Sequence, residues 1–317
     1  MHRYWASIFV LPKGVLSRVD AICRNFLWEG HAEYSSVPRL AWNKVCVPKR
    51  ESGLGLKESH VWNVATIGKL VWWLAVKPDK LWVRWVHHIY IKNGDWLHHN
   101  PSSDASWHWK KICKVRDLIK DGFVSNEWCI GNGEYTIKSC YNWIRQPRPE
   151  VSWFRSVWHS LVLPKHAFVA WLVSSNALSS LKDKSVSISG SSDDLCCVCH
   201  LQRETHNHLF QECSFTQRLV HSVLDGLGSP IGQHDWIQSI ARRRWSRLRK
   251  AVNNAAIIAC WYVTWMQRNE ARLNGRVARP EHLVAHIKSV LRSRVSVCKS
   301  NLVSLRDEIW LNRVQLM

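Results

Sequence analysis

Apolar residues recur along most of this chain every three to four positions, the period of a helix that turns one face to a core. Val15, Val19, Ile22 and Phe26 form the first such stripe, reinforced by Leu16, Cys23 and Leu27. It opens after Pro12-Lys13-Gly14 and predicts a helix that stops near Gly30. A second helix is predicted over residues 62–76, ended by Lys77-Pro78 because the residue before a proline disfavours helical geometry. A third opens at Trp107 and runs to about Ile119. Glu127 to Ile130 and Glu134 to Lys138 flank Gly131-Asn132-Gly133. An Asn-Gly pair between short apolar runs predicts a β-hairpin, here over about 127–138. Trp153, Phe154, Val157, Trp158, Leu161 and Val162 make a wide helical face ending at Pro164, and residues 166–178 follow as a further helix. Ser214-Phe215-Thr216-Gln217 has the form of a capping box with Ser214 as N-cap. Residues 250–273 and the basic tail from Glu281 also read as helical. Ser52-Gly53-Leu54-Gly55-Leu56 predicts a tight turn.

Composition narrows what such a fold could serve. The chain has 317 residues, 46% of them hydrophobic, enough for a core divided into two or three units. Its 44 Lys and Arg against 24 Asp and Glu give a formal charge of +20. That imbalance points to a polyanionic partner, RNA or DNA first and an anionic membrane surface second. Twenty-one tryptophans are far above ordinary usage. At helical spacing most of them are expected in the core, although an exposed indole can stack on a base. Seven of eleven cysteines are scattered, which predicts reduced side chains in an intracellular protein that is not secreted. The apolar run from Trp5 to Leu11 lacks the cleavage site of a signal peptide. Residues 251–266 are too short to span a bilayer comfortably, so no membrane partner is expected.

The densest chemistry lies at Cys196, Cys199, His208 and Cys213, in the order C-x2-C-x8-H-x4-C. Three thiolates and an imidazole suit one tetrahedral zinc ion. A closed set of four leaves no position for a substrate, so the zinc expected here is structural and the module binds instead of reacting. Cys197, His200 and His206 compete as ligands, and the spacing leaves Cys197 open in place of Cys196. Positions five apart stand about 140° around an ideal α-helix. His208 and Cys213 can therefore share a metal only if the helix ends before Cys213, with Thr205 as its N-cap. The bland alternative is buried free cysteines beside exposed histidines. His87-His88, His98-His99 and His108 with Cys113 match no metal template. Arg242, Arg243, Arg244, Trp245, Arg247, Arg249 and Lys250 form a basic run with one aromatic, suited to phosphates or to nuclear import. Asp193-Asp194, in a Ser-rich stretch, lacks the setting of a two-metal catalytic pair. Neither a Gly-x-Ser-x-Gly nor a Walker-type loop occurs.

Cys196-x2-Cys199, Glu204-Thr205, His208-Leu209-Phe210 and Cys213 together resemble the zinc-binding C-terminal region of plant LINE-type (non-LTR) retrotransposon reverse transcriptases. Tyr135 to Tyr141, Trp153, Val157-Trp158 and Pro164 to Leu172 agree in order. Leu11-Pro12-Lys13, Phe26-Leu27-Trp28, Cys46 to Lys49, Gly53-Leu54-Gly55 and Leu81-Trp82 resemble the segment after the polymerase palm, and Trp261-x3-Trp265 with Arg268-Asn269 is similar to the stretch C-terminal to the zinc region. Ser52 stands where the family usually has another glycine. The resemblance implies a post-palm helical segment at 1–105, a zinc-binding domain at 134–222 and a basic helical region at 223–317. The expected fold is thus mainly α, with one short hairpin and a small zinc-stapled helical module. It further implies a non-catalytic fragment that binds RNA or DNA, takes no small-molecule substrate and lacks the palm, which would lie before Met1. A vestigial or protein-interaction zinc module without a nucleic-acid role is the alternative.

Overall fold

The computed structural model describes residues 2–33, 38–92, 94–124, 129–130, 134–178, 195–232, 236–298 and 304–316. The chain divides into two compact units, Met1–Pro149 and Glu150–Met317. That boundary falls inside the 134–222 segment outlined by resemblance. Among the described residues, no helix is long and apolar enough to cross a membrane.

The first unit is built on α1 (Lys13–Glu29), α2 (Ser59–Val76), α3 (Trp107–Val124) and α4 (Ile137–Arg145). Helix α2 is apolar on nearly every face and is accordingly surrounded. Its Ala65, Ile67, Val71 and Leu74 pack with Ile112, Val115 and Ile119 of α3 and with Cys140 and Tyr141 of α4. Gly68 permits a close approach: a Cβ there would lie 2.5 Å from the Tyr135 hydroxyl, which donates to the carbonyl of Ala65. Asn63, buried on α2, accepts from the Leu11 N–H and donates to the carbonyls of Ala6 and Phe9. It thereby ties the N-terminal segment to the core. Arg145 at the end of α4 grips Glu51 with two hydrogen bonds, one of them at 2.8 Å. The Arg145 guanidinium, aided by the Arg148 N–H, holds the Glu51 carboxyl below its ordinary pKa.

Helix α1 begins and ends as expected, with Gly30 in the left-handed region at φ 76°. Its face does not. Leu16 is the buried residue, whereas Val15, Ile22 and Phe26 of the predicted stripe are exposed at 48%, 39% and 66%. Periodicity gives a face but not the neighbour that covers it. The hairpin is real and shorter than predicted: β1 (Cys129–Ile130) pairs antiparallel with β2 (Glu134–Tyr135). The second strand stops because Thr136 caps α4, its side chain accepting from the Ser139 N–H. Residues 125–128 and 131–133 lie outside the described part, the Gly-Asn-Gly turn among them.

The second unit is arranged around a 28-residue helix. It holds α5 (Pro164–Ser174), α6 (Ser214–Gly226), the long α7 (Arg247–Asn274), α8 (Pro280–Cys298) and α9 (Leu305–Arg313). Helices α5, α6 and α8 all pack on α7, whose Val252, Ala256, Ile257, Ile258 and Cys260 are buried. Ser246 caps it, accepting from the Arg249 N–H, and Gly275 ends it in the left-handed region. The wide apolar face at 153–162 is not one helix. Only Phe154–Val157 is helical, with turns on either side, and Pro164 starts α5 at its first turn, where a missing N–H costs nothing.

Candidate metal centre

Residues 195–203 form a tight knuckle. Leu195 bridges Arg203, the Cys196 N–H donates to the Gln202 carbonyl, and the His200 N–H donates to the Cys196 carbonyl. His200 takes a left-handed backbone at φ 54° to close the turn and leaves its ring exposed. The chain then enters a short helix whose last part, His208–Glu212, winds as a π-helix. Thr205 caps it as expected, accepting from the His208 N–H at 3.0 Å. The Cys213 N–H donates back to the His208 carbonyl, five residues earlier.

That slow winding resolves the spacing. An i→i+5 turn brings positions five apart nearly into line, which an α-helix does not. Cys213 itself is extended, with ψ 126°, so the helix ends before it. The donor atoms of Cys196, Cys199, His208 and Cys213 all lie within 4.8 Å of one another. The sulfurs of Cys196 and Cys213 are 4.0 Å apart, and Cys199 Sγ is 3.3 Å from His208 Nε2. Bonds of the usual zinc lengths in a tetrahedron imply edges of about 3.8 Å between sulfurs and about 3.5 Å between sulfur and nitrogen. The donor set fits one zinc ion in chemistry and in size. Zinc bound here would hold the fold, since all four positions belong to the protein.

The surroundings prepare the donors. Cys213 stands at the N-cap of α6, not Ser214 as the capping-box pattern suggests. The Cys196 thiol holds the Cys213 sulfur below its ordinary pKa, helped by the backbone N–H groups of Thr216 and Phe215. Cys196 is pushed the other way by Cys213 and by burial, while the N–H groups of Cys199 and Val198 oppose the rise. Two adjacent sulfurs without a cation share a proton, and a divalent cation lets both ionise. Burial lowers the pKa of His208 and keeps its imidazole neutral, the form that binds metal. Its Nδ1 faces Gln202 Oε1 at 3.1 Å, which fixes the tautomer that frees Nε2.

Cys197 has a different task. Its sulfur lies 3.7 Å from Glu204 Oε2 and 3.5 Å from the Arg268 carbonyl, and burial with the Glu204 charge pushes it up to about 11. Glu204 is itself fully buried and is held by Arg268 of α7, through Nη2 at 2.8 Å and Nε at 3.1 Å. The knuckle is thus pinned to the central helix by a bidentate ion pair. No rule of metal spacing would have found this pair or Gln202. Glu204 and Arg268 are legible only as parts of the quoted resemblance.

The other predicted residues fall in several places. The histidines of the first unit do not converge: His87 donates to the Leu74 carbonyl, His98 pairs with Asp95, and His108 meets Phe9 edge-on. Asp193-Asp194 lies outside the described residues. The basic run spans the end of the helix Trp236–Arg242, the turn after it and the first residues of α7. Arg242, Arg243, Arg244 and Arg247 are exposed. Arg249 is built into the fold, donating to the Gly228 carbonyl and lying between the rings of Trp245 and Trp310. Lys250 donates to the Ala241 carbonyl.

A closed Cys3His knuckle on an α-helical support is a structural zinc-binding module. Residues 135–219 match the family model described as zinc-binding in reverse transcriptase. An Arabidopsis thaliana protein named as a candidate ribonuclease H protein is 33% identical over 133 residues, 40% of this chain and 21% of that protein. An uncharacterized mitochondrial protein of the same plant is 24% identical over 147 residues, 46% of this chain and 94% of that protein. The match thus spans about a fifth of the first relative's length. No solved structure matches. The resemblance to the zinc-binding region of a plant retroelement reverse transcriptase is borne out at that level.

Proposed function

We propose that this chain is the accessory, non-catalytic nucleic-acid grip of a LINE-type reverse transcriptase, working inside the cell, with the nucleus as the address its basic run would serve. One structural zinc is held by Cys196, Cys199, His208 and Cys213. The observation that carries the reading is the convergence of those four donors inside the segment similar to a reverse-transcriptase zinc-binding domain. Zinc with four protein ligands has no position for a reacting group, so it acts through folding free energy. Affinity comes from Arg242, Arg243, Arg244 and Arg247, whose exposed guanidinium groups neutralise phosphates and release counterions.

The test is a titration with RNA and with DNA at two salt concentrations, with and without chelator. Steep salt dependence and loss of binding on chelation are expected. Replacing the four exposed arginines by alanine flattens the slope by about 0.7–0.9 for each phosphate no longer neutralised. A slope unchanged in that variant would remove the basic run from the interface. The protein-interaction alternative has one observation in its favour, the exposed Tyr4, Trp5, Phe9 and Phe26 of the first unit. Absence of binding to any nucleic acid would favour it.

A further inference from the structure

The second unit holds a cavity of about 280 Å³ beside the π turn that carries His208. Its walls are aromatic: Trp153, Phe210, Trp236 and Trp261 line it, and Gln211 and Gln238 add amide groups. Phe210, Trp236 and Trp261 are nearly fully buried, while Trp153 is half-buried at the outer side. The indole N–H groups of Trp236 and Trp261 and the Oε1 of Gln211 are buried without a hydrogen-bond partner among the described residues. Buried polar groups are nearly always bonded. Unpartnered indole N–H groups also occur at Trp42, Trp62 and Trp109 in the first unit, so it is the aromatic lining, with cations beside it, that sets this cavity apart.

Cations stand at the rim. Arg242 Nη2 donates to Oε1 of Gln238, and Lys250 Nζ donates to the carbonyl of Ala241, both lining residues. Arg243 and Arg244 come directly after and are exposed. The volume is just below the range for drug-sized ligands, which suits one flat ring system. Aromatic faces, the glutamine amides and flanking cations match a planar heteroaromatic ring carried on a polyanionic chain. An apolar peptide side chain would use the rings and leave both the polar groups and the cations unused.

We propose that this cavity takes one unpaired base of a single-stranded RNA or DNA, with the neighbouring phosphates on Arg242 and Lys250. The proposal rests on the nucleic-acid reading above and adds a place and a preference to it. A base stacked inside a duplex cannot enter, so single strands bind better than duplex.

The experiment measures binding of the full chain, by fluorescence anisotropy, to three labelled 12-nucleotide probes: a single strand, the same length of abasic sugar-phosphate, and a duplex. Trp153→Ala removes the outer wall. Trp236→Phe keeps an aromatic face but shortens the inner wall, and serves as the second variant if Trp153→Ala fails to fold. Wild type should prefer the single strand over the abasic probe by about tenfold, the usual worth of one stacked base. Trp153→Ala should lose that preference and keep its zinc content and salt slope, and Trp236→Phe should lose part of it. Equal binding of single and abasic strands by wild type overturns the proposal and leaves the phosphate reading standing. So does a preference retained in both variants. Failure to bind any strand overturns both. Binding of a tryptophan-containing peptide but of no strand, lost in Trp153→Ala, assigns the cavity to a protein partner and also overturns both.

Discussion

In each unit an arginine grips a buried glutamate, and the two pairs teach different things. In the first unit, Arg145 of α4 holds Glu51 in a glycine-containing turn, and the α2, α3 and α4 core around it is apolar. In the second, Arg268 of α7 holds Glu204 in a knuckle that also carries the metal donors. Long apolar helices can be held by packing alone. A nine-residue knuckle such as 195–203 buries little apolar surface of its own, so it needs an ion pair on one side and a cation on the other. The first unit is therefore expected to be indifferent to zinc, and the second to depend on it.

The largest break in this contrast comes from the metal. Chelation, or Cys213→Ala, should abolish zinc binding and expose amides 196–216 in hydrogen exchange measured by mass spectrometry, with no change in residues 59–76 and 107–119. The apparent free energy at stake in structural zinc sites is about 10–16 kcal/mol. Cys197→Ala should keep its zinc, and loss of zinc in that variant would show the ligand set to be misassigned.

Next come the ion pairs. Removing one partner from a buried pair costs about 3–5 kcal/mol because the other charge is stranded. Glu51→Ala and Glu204→Ala should both show that loss in urea denaturation, but only Glu204→Ala should also weaken zinc retention in a competition with chelator. Equal zinc retention in the two variants would separate the Arg268 anchor from the metal site.

A smaller effect is set by pH. His166 of α5 is buried and stacked on Tyr262 at 4.3 Å. Burial, with Lys165 and His286 nearby, pushes its pKa down to about 4. Between that value and the ordinary histidine range the unfolded chain binds the extra proton. Its contribution is therefore present at neutral pH and lost as pH falls from about 6.5 toward about 4, up to about 3 kcal/mol. Denaturation midpoints of wild type and His166→Gln should converge across that window. Parallel curves would mean that His166 does not titrate as its burial demands.

The smallest effect is at Ser52, which adopts the left-handed region at φ 76°. A side chain there costs about 1–2 kcal/mol, partly offset by the added flexibility of glycine when unfolded. Ser52→Gly should raise the first unit's stability by about 1 kcal/mol or less, read as a shift in thermal midpoint. No shift, or a fall, would show the loop to be relaxed as it stands.

Helix ends were legible where the chain carries chemical punctuation. Pro12 and Gly30 bound α1, Thr205 caps the helix before Cys213, and Lys77-Pro78 stops α2. The donor set was legible too, because metal ligands must recur at short spacing. Other features escaped for physical reasons. The Ser214 pattern placed the N-cap one residue late, because Cys213 takes that position without a side-chain cap hydrogen bond for a capping rule to register. The π turn at His208–Glu212 has no propensity signature of its own. It shows only as the spacing that an α-helix could not satisfy. Glu204 and Arg268 are 64 residues apart, and a single sequence carries no sign of which distant charges meet. The exposed Phe26 follows the same logic, since an apolar stripe does not name its neighbour.

X-ray absorption at the zinc edge, on the full chain with metal content measured in parallel, tests the central claim most directly. One zinc per chain is expected, with three sulfurs at about 2.3 Å, one nitrogen at about 2.0–2.1 Å and no water ligand. A chain purified after zinc-supplemented expression without zinc, or a first shell holding two sulfurs or an oxygen, would contradict it.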